Sequence, residues 1–497
     1  MNKLPNIDTE LIINFIRNNY LLLLIFLVGL GLRIYDLGSE SIWYDEAISV
    51  AVAKLDLLAQ ITWSFVQNDN NPPLYYGMLH YWVSIFGDSE FASRLPSAIF
   101  GSFSIIAIYS VGRLLFNKNV GLLAALILAT SVFHIKYSQE ARAYSLLAFL
   151  SLVSYYFYLK IVSSKQRSYF LGYIISSILL LYTHYYGFLI IAAQNIFFFT
   201  EYFKNRKFNE LDFRRWVVSQ ALLFLLYLPG FVLLGKHMVA IQGGFWLPEP
   251  TLLGILKCIN KYSGSLSLLV LFLVFSFLSV VSLRHIKTKK SLKGLLKPFD
   301  NYSEKLTLSN INRVYLLLLW LLTPIILPYL LSLFSTPILL YRYTIGGSLA
   351  FYLLAARGID NTGNRKVMFL IAGLVLIFSY FNLEKYYNSV DKHQWRETIN
   401  YIEDNAGNGD YVVVYPQFEI ESAYYYLKRK DLHVYALNDE FLLSTDIGKK
   451  NLWVVLGAHA RTNKDEIEQG LGQRYDLLLQ KKFKSLYLYQ YRKKGSR

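Results

Sequence analysis

The residues best suited to chemistry are two adjacent carboxylates, Asp45 and Glu46, in the stretch Ser41-Ile-Trp-Tyr-Asp-Glu-Ala-Ile-Ser49. They follow an apolar run over residues 20–32 that suits only a membrane or a protein core. Trp43 and Tyr44 stand directly before them, and aromatic rings of this kind favour the membrane–water interface. Ionisable groups at such a boundary are costly to keep and are therefore functional candidates. The bland alternative is a solvated acid pair in a loop.

Other candidates recur at similar boundaries. Asn71 and Tyr75 lie in Asn70-Asn-Pro-Pro-Leu-Tyr-Tyr76, where two prolines fix the entry to a helix. Arg94 opens an apolar run in Phe91-Ala-Ser-Arg-Leu-Pro-Ser97. Glu140, Arg142 and Tyr144 fall in Ser138-Gln-Glu-Ala-Arg-Ala-Tyr144. His184 and Tyr185 end another run, and Arg342 is flanked by Tyr341 and Tyr343. A carboxylate can take a proton from an acceptor. A guanidinium matches phosphate geometry and steadies charge developing on it. Together these types suit transfer from a phosphate leaving group.

Plainer roles exist for each. Arg94 and Arg142 also suit interfacial anchors, Arg342 a non-specific lipid headgroup contact, and His184 an aromatic belt. Glu140 and Arg142 are two apart, so on a helix they would point in different directions. No two histidines have a helical metal spacing. A divalent metal at Asp45, beside Glu46, is compatible with the pair, but nothing in the sequence demands it.

The elements that position these residues read as membrane helices. The chain has 497 residues, 54% hydrophobic and 17% charged. Apolar runs of roughly 18–22 residues recur to about residue 382, as a polytopic helical membrane protein requires and a large soluble enzyme does not. The net charge is +16, but the bases cluster between apolar runs, where the positive-inside rule places them. That assigns the excess to topology and not to nucleic acid. The single cysteine, Cys258, excludes an intrachain disulfide and any multi-cysteine metal site. No small-residue cleavage site follows the first run, which predicts an uncleaved first helix.

About eleven spans, with the N-terminus inside and the C-terminus outside, put every basic cluster on one side and every candidate above on the other. The first outer loop, residues 38–93, holds two interrupted apolar stretches, 47–66 and 74–86, expected to lie as helices in the interface. From about residue 383 the composition changes. Short strands at 410–415, 433–436, 452–456 and 486–491 alternate with helical stretches near 417–428 and 464–470. They predict a small α/β domain outside the membrane, with no GxGxxG, Walker or zinc spacing. The domains are thus 1–382 and 383–497. ATP is absent outside the membrane, so an activated donor there would be lipid-linked.

The motifs Gly31-Leu-Arg-Ile-Tyr-Asp-Leu-Gly38 running into Trp43-Tyr-Asp-Glu46, Asn71-Pro-Pro-Leu-Tyr-Tyr76, Ser89-Glu-Phe-Ala-Ser-Arg-Leu-Pro-Ser97 and Tyr137-Ser-Gln-Glu-Ala-Arg-Ala-Tyr144 resemble, as an ordered set, the dolichyl-phosphate-mannose–protein mannosyltransferases of glycosyltransferase family 39. The likeness is closer to bacterial members, including the aminoarabinose–lipid A transferases. It covers about residues 20–190 plus Leu340-Tyr-Arg-Tyr343. The resemblance implies a GT-C fold in the plasma (inner) membrane and a polyprenyl-phosphate sugar donor. It implies Asp45 as the catalytic or acceptor-positioning carboxylate, supported by Glu46. Arg94 would match the arginine opening the second span, and Arg342 a basic residue on the lipid phosphate. Relatives often carry His or Lys where this chain has Asn71, and an Asp where it has Ala143 and Tyr144. The latter leaves Glu140 as the second acid.

The expected function is therefore sugar transfer, with inversion, from a polyprenyl-phosphate donor to a protein, lipid or envelope-glycan acceptor on the extracytoplasmic face. Asp45, Glu46 and Glu140 are the acids. Arg94, Arg142, Arg342 and Tyr343 hold the donor phosphate, and Asn71, Tyr75, Tyr144, His184 and Tyr185 line the substrate. The alternatives are a lipid-linked-sugar flippase, which would carry charges near the bilayer midplane, and a non-catalytic scaffold.

Overall fold

The computed structural model describes residues 9–66, 71–164, 166–204, 208–242, 247–280, 310–437, 450–457 and 464–495. The expected basic block at 284–297 and the middle of the outer loop at 243–246 lie outside the described residues. The chain divides into two compact units. The first takes Met1–Tyr35, Ile61–Tyr75 and Leu95–Tyr386; the second takes Asp36–Gln60, Tyr76–Arg94 and Tyr387–Arg497. The second unit therefore extends beyond the single cut expected near residue 383, because parts of the first loop belong with the C-terminal domain.

The helical part begins with α1 (Thr9–Ile34), α2 (Tyr44–Ala53), α3 (Leu57–Val66), α4 (Leu74–Phe86) and α5 (Glu90–Leu115). It continues with α6 (Lys118–Thr130), α7 (Val132–Ser138), α8 (Tyr144–Ser164), α9 (Arg167–Thr183) and α10 (Gly187–Phe203). Then come α11 (Glu210–Leu226), α12 (Leu228–Gln242), α13 (Leu252–Ser263), α14 (Leu266–Leu278), α15 (Asn310–Ser332), α16 (Ile345–Asn361) and α17 (Arg365–Tyr387). Among the described residues four helices, α5, α8, α15 and α17, are long and apolar enough to cross a membrane. The number rises to seven if each bent pair counts as one span: α6 with α7 (61°), α11 with α12 (63°) and α13 with α14 (98°).

Helix α16 is the centre of the first unit. Nearly every residue of Ile345–Asn361 is buried, as expected for a helix apolar on all sides. It packs against α6, α8, α14 and α15. Close approach is made by small residues, the usual solution where lipid gives no hydrophobic drive between helices. A Cβ on Gly358 would sit 1.6 Å from the carbonyl oxygen of Phe275 on α14. Gly112 and Gly121 pair in the same way across α5 and α6. By contrast α17 buries only 11% of its apolar window, and Phe369, Leu370, Leu376 and Ile377 face outward. An apolar exposed face of this kind is suited to lipid.

Helix α13 was not anticipated. It follows an expected outer loop, and its Lys257, Asn260 and Lys261 interrupt the apolar run that marks a span. Thr251 caps its start, and Gly264, at φ +80°, ends it in the left-handed conformation before the sharp turn into α14.

The second unit adds α18 (Trp395–Asn405), β1 (Tyr411–Tyr415), α19 (Ile420–Tyr426), β2 (His433–Ala436), β3 (Asn451–Gly457), α20 (Lys464–Arg474), β4 (Tyr475–Phe483) and β5 (Leu486–Lys493). The sheet order is β2-β1-β3-β5-β4, with β1 parallel to β2 and β3, and β5 antiparallel to β3 and β4. Alternation sorts the side chains to two faces. Val412, Val414, Trp453 and Val455 face one core with Trp395 and Ile399; Val413, Leu452 and Val454 face the other with Leu471. The first core also holds Ile42, Ala47 and Val50. The stretch 47–66, expected as one interfacial helix, is thus two helices, and α2 turns its apolar side to the sheet. Strand β4 and helix α18 were not anticipated. Strand β4 is an exposed edge with a bulge between Leu477 and Leu479, so it lacks a period-2 burial pattern.

Gly358→Ala is expected to destabilise the protein by about 1–3 kcal/mol or more, the range of overpacking. Gly373, whose Cβ would meet nothing within 4 Å, is the control. Thermal unfolding of both variants in lipid checks this; equal midpoints would refute the close helix crossing.

Candidate functional site

The predicted site residues fall into two clusters, one in each unit. In the second unit, Asp45 and Glu46 occupy the first turn of α2, where the helix dipole favours acids. Successive residues on a helix diverge by about 100°. Asp45 is half-buried, while Glu46 is turned fully inside. The carboxylate of Glu46 accepts from Arg94 Nε at 2.8 Å and Arg94 Nη2 at 2.8 Å, a bidentate pair. It also accepts from Lys392 Nζ at 3.0 Å. The remaining donors of Arg94 go to the carbonyls of Leu37, Glu40 and Ser41.

A guanidinium has five N–H donors, and all of Arg94's are thereby used inside the fold. Every donor of Arg94 is thus occupied, and the Glu46 carboxylate is held between two cations. Lys392 was missed because it lies 346 residues from its partner, beyond any local pattern. The same segment laces further to the first loop. Ser41 donates to Glu397 at 2.8 Å, and Arg396 binds Glu90 at 3.0 Å. The hydroxyl of Tyr426 accepts from the Ile42 N–H and donates to Glu90.

The second cluster lies in the first unit. The turn between α7 and α8 carries Glu140 and Arg142, both buried. Arg142 Nη2 donates to Asn71 Oδ1 at 3.3 Å. Tyr75 shares a hydrogen bond of 2.9 Å with Ser97, which donates to the carbonyl of Arg142. Asn71 and Tyr75 therefore hold the arginine turn in place. The guanidiniums of Arg142 and Arg342 lie 6.0 and 5.9 Å from the Tyr144 ring centroid, and Arg342 also lies 5.7 Å from Tyr343. Tyr144 stacks on Tyr343 at 6.3 Å. His184 packs on Tyr343 at 5.1 Å and Tyr186 packs on it at 5.6 Å. The charges of Glu140 and Arg342 both reach Tyr137.

Two departures from expectation stand out. Tyr185 bonds His237 at 2.7 Å, so the ring beside Tyr343 is Tyr186. Two further cations enter from α13: Lys257 and Lys261, one turn apart, lie 5.7 and 5.6 Å from the ring of Tyr341, next to Arg342. An i,i+4 lysine pair was the available signal, obscured by the expected loop.

His184 is neutral in this setting. Its Nδ1 accepts the Tyr186 N–H at 3.1 Å, which leaves the proton on Nε2. Burial, then the charges of Arg142 and Arg342, push its pKa down to about 3. Among the described residues no group of three His, Cys, Asp or Glu side chains is arranged to hold a metal. With Glu46 committed to Arg94 and Lys392, the Asp45–Glu46 pair does not fit a chelating role.

Comparison with known proteins gives three likenesses. Residues 70–232 match the family model described as dolichyl-phosphate-mannose-protein mannosyltransferase. An uncharacterized protein of Aquifex aeolicus (strain VF5) is 29% identical over 186 residues, 36% of this chain and 37% of that one. The match thus spans little more than a third of that relative. In fold, the chain resembles ArnT from Cupriavidus metallidurans in the apo state, with a TM-score of 0.63 at 10% identity over 94% of this chain and 97% of that one. The same protein bound to undecaprenyl phosphate gives a TM-score of 0.60 at 10% identity, over 95% and 98%. The archaeal oligosaccharyltransferase AglB from Archaeoglobus fulgidus, in complex with an inhibitory peptide and a dolichol-phosphate, gives 0.54 at 12% identity over 95% and 74%. At such identities the likeness establishes a shared GT-C fold.

Two outcomes are expected. Glu46→Gln leaves Arg94 and Lys392 short of a buried counter-charge, and breaking such a pair costs about 3–5 kcal/mol; a large fall in the unfolding midpoint is the readout. For His184 the unfolded chain binds a proton below its ordinary value of about 6.5, whereas the folded chain does not until about 3. Stability therefore falls as pH drops through that window. His184→Gln should lose less stability than wild type between pH 7 and 5 in paired melts.

Proposed function

We propose that the chain is a membrane glycosyltransferase, a reading supported by the match of residues 70–232 to the family model described as dolichyl-phosphate-mannose-protein mannosyltransferase. It moves a sugar from a polyprenyl-phosphate carrier to an acceptor on the extracytoplasmic side of the plasma membrane. The N-terminus is cytoplasmic and residues 383–497 are extracytoplasmic. Helices α1, α9, α10 and α16 join the seven spans above, making about eleven in all, since about 17 residues suffice at the short end.

The observation that carries this reading is the cation–tyrosine cluster of the first unit. Arg142 and Arg342 flank the Tyr144–Tyr343 stack, with Lys257 and Lys261 beside Tyr341. Fixed guanidiniums recognise a phosphate and steady the charge that grows on it as the glycosidic bond breaks. Neutral His184 offers a proton donor at Nε2 and adds no charge. Support for a lipid carrier comes from ArnT, which binds undecaprenyl phosphate.

In the proposed reaction an acceptor oxygen or nitrogen attacks the anomeric carbon, and the bond from that carbon to the phosphate oxygen breaks. Polyprenyl phosphate leaves with the electron pair, and the acceptor's proton passes to a carboxylate. Direct displacement inverts the anomeric centre. Asp45 is the base, as the family resemblance implies, with Glu46 beside it bound to Arg94 and Lys392. Glu140 supports the cationic cluster from its buried turn.

The test is transfer by purified protein in lipid with a panel of radiolabelled polyprenyl-phosphate sugars. Asp45→Asn should lose about 10²–10⁴-fold in turnover, the usual share of a general base, with an unchanged melt. Arg342→Ala should raise the donor KM. No donor consumption by wild type across the panel would sink the reading.

A further inference from the structure

The bend between α13 and α14 joins a cationic stripe to an apolar groove, and the proposed reaction assigns neither a role. Helix α13 (Leu252–Ser263) meets α14 (Leu266–Leu278) at 98°. Where α14 runs into the hydrocarbon, α13 therefore lies along the bilayer surface. The corner is fixed: Gly264 takes the left-handed turn, and Asn382 of α17 donates to Ser265 at 3.0 Å.

Helix α13 has the makeup of an interfacial helix. Cys258 and Tyr262 are buried, whereas Leu252, Leu253 and Leu256 are 63–73% exposed. At about 100° per residue these leucines form one stripe, and Lys257 and Lys261 form the stripe beside it. Both lysines are exposed. Their ammonium groups lie 5.7 and 5.6 Å from the Tyr341 ring, and among the described residues neither meets a carboxylate. Like charges one helical turn apart repel. An anion between the two lysines removes that cost, whereas a zwitterionic headgroup brings a cation of its own.

A groove of about 480 Å³ opens at the first residue of α14. Leu266, Val270 and Val274, spaced one turn apart, line it together with Phe378 of α17. From Leu266 to Val274 the helix rises about 12 Å. One leaflet's share of the hydrocarbon core is about 15 Å. The groove therefore matches an acyl chain confined to one leaflet, and a long polyprenyl tail would overrun it. A cationic pair at the surface and an apolar groove starting five residues further on supply the two halves of a phospholipid site. We propose that this corner binds one anionic phospholipid of the surrounding leaflet, its phosphate between Lys257 and Lys261 and one acyl chain along the groove between α14 and α17. The site rests on the chain spanning a membrane and not on its catalysing transfer.

Native mass spectrometry of the full chain tests this, with dioleoylphosphatidylglycerol and dioleoylphosphatidylcholine offered at equal concentration. Wild type should retain phosphatidylglycerol several-fold more than phosphatidylcholine. Lys257→Ala combined with Lys261→Ala should abolish that preference. Val270→Trp, which fills the groove while both lysines stay, should lower phosphatidylglycerol retention several-fold. All three positions are exposed, so the variants leave the core intact. Equal retention of the two lipids by wild type, or unchanged phosphatidylglycerol retention in either variant, overturns the site. Displacement of phosphatidylglycerol by equimolar undecaprenyl phosphate would give the corner to the carrier lipid and overturn the phospholipid assignment.

Discussion

A guanidinium removed from water must find an acceptor for every hydrogen it carries, and Arg94 organises the second unit by that demand. It draws together the Glu46 carboxylate and three carbonyls from the loop before α2. Those five contacts set where α2 begins and turn Glu46 inward. With one acid of the pair buried, the other is left at the surface of the helix. The second cation on Glu46, Lys392, ties the start of the C-terminal segment to the same carboxylate. An ion pair this deeply buried gains little net stability over apolar packing. What it supplies here is a fixed geometry for the short loop before α2.

Arginine serves two different ends in this chain, and the surroundings tell them apart. Arg33 resembles Arg94: it is fully buried and donates to the carbonyls of Gly29, Leu128 and Ala129. The last two are exposed by the bend between α6 and α7, so Arg33 makes that bend tolerable. Gln139 reciprocates by donating to the carbonyls of Leu32, Arg33 and Tyr35 at the end of α1. The result is a stable base for the turn that carries Glu140 and Arg142. Arg142 and Arg342 differ in kind, since each lies over tyrosine rings. A ring face attracts a cation through its quadrupole.

Much of this was legible in order and type. The residues at 45–46, 71, 142, 144, 184, 342 and 343 were singled out from motif and boundary, and the first unit brings the last five together with Asn71. The strands at 433–436 and 486–491 were visible as alternating runs. What escaped was either non-local or locally disguised. Lys392 shows no pattern in its own neighbourhood. Lys257 and Lys261 sit in a helix too polar to be read as a span. Tyr185 and Tyr186 are adjacent and chemically identical, so only the direction of the chain after α9 decides which faces Tyr343.

The sequence by itself determined the class of the fold, because apolar runs of bilayer length and clustered bases allow few other solutions, and its ordered motifs carry a resemblance that the family match over residues 70–232 repeats. It also supplied the list of reactive side chains. The tertiary structure alone decided which partners they meet. How many acceptors surround an arginine, and whether an acid is turned inward to a cation, depend on how the chain folds around each helical turn. Those are properties of contacts between residues far apart in the chain, and no local spacing encodes them.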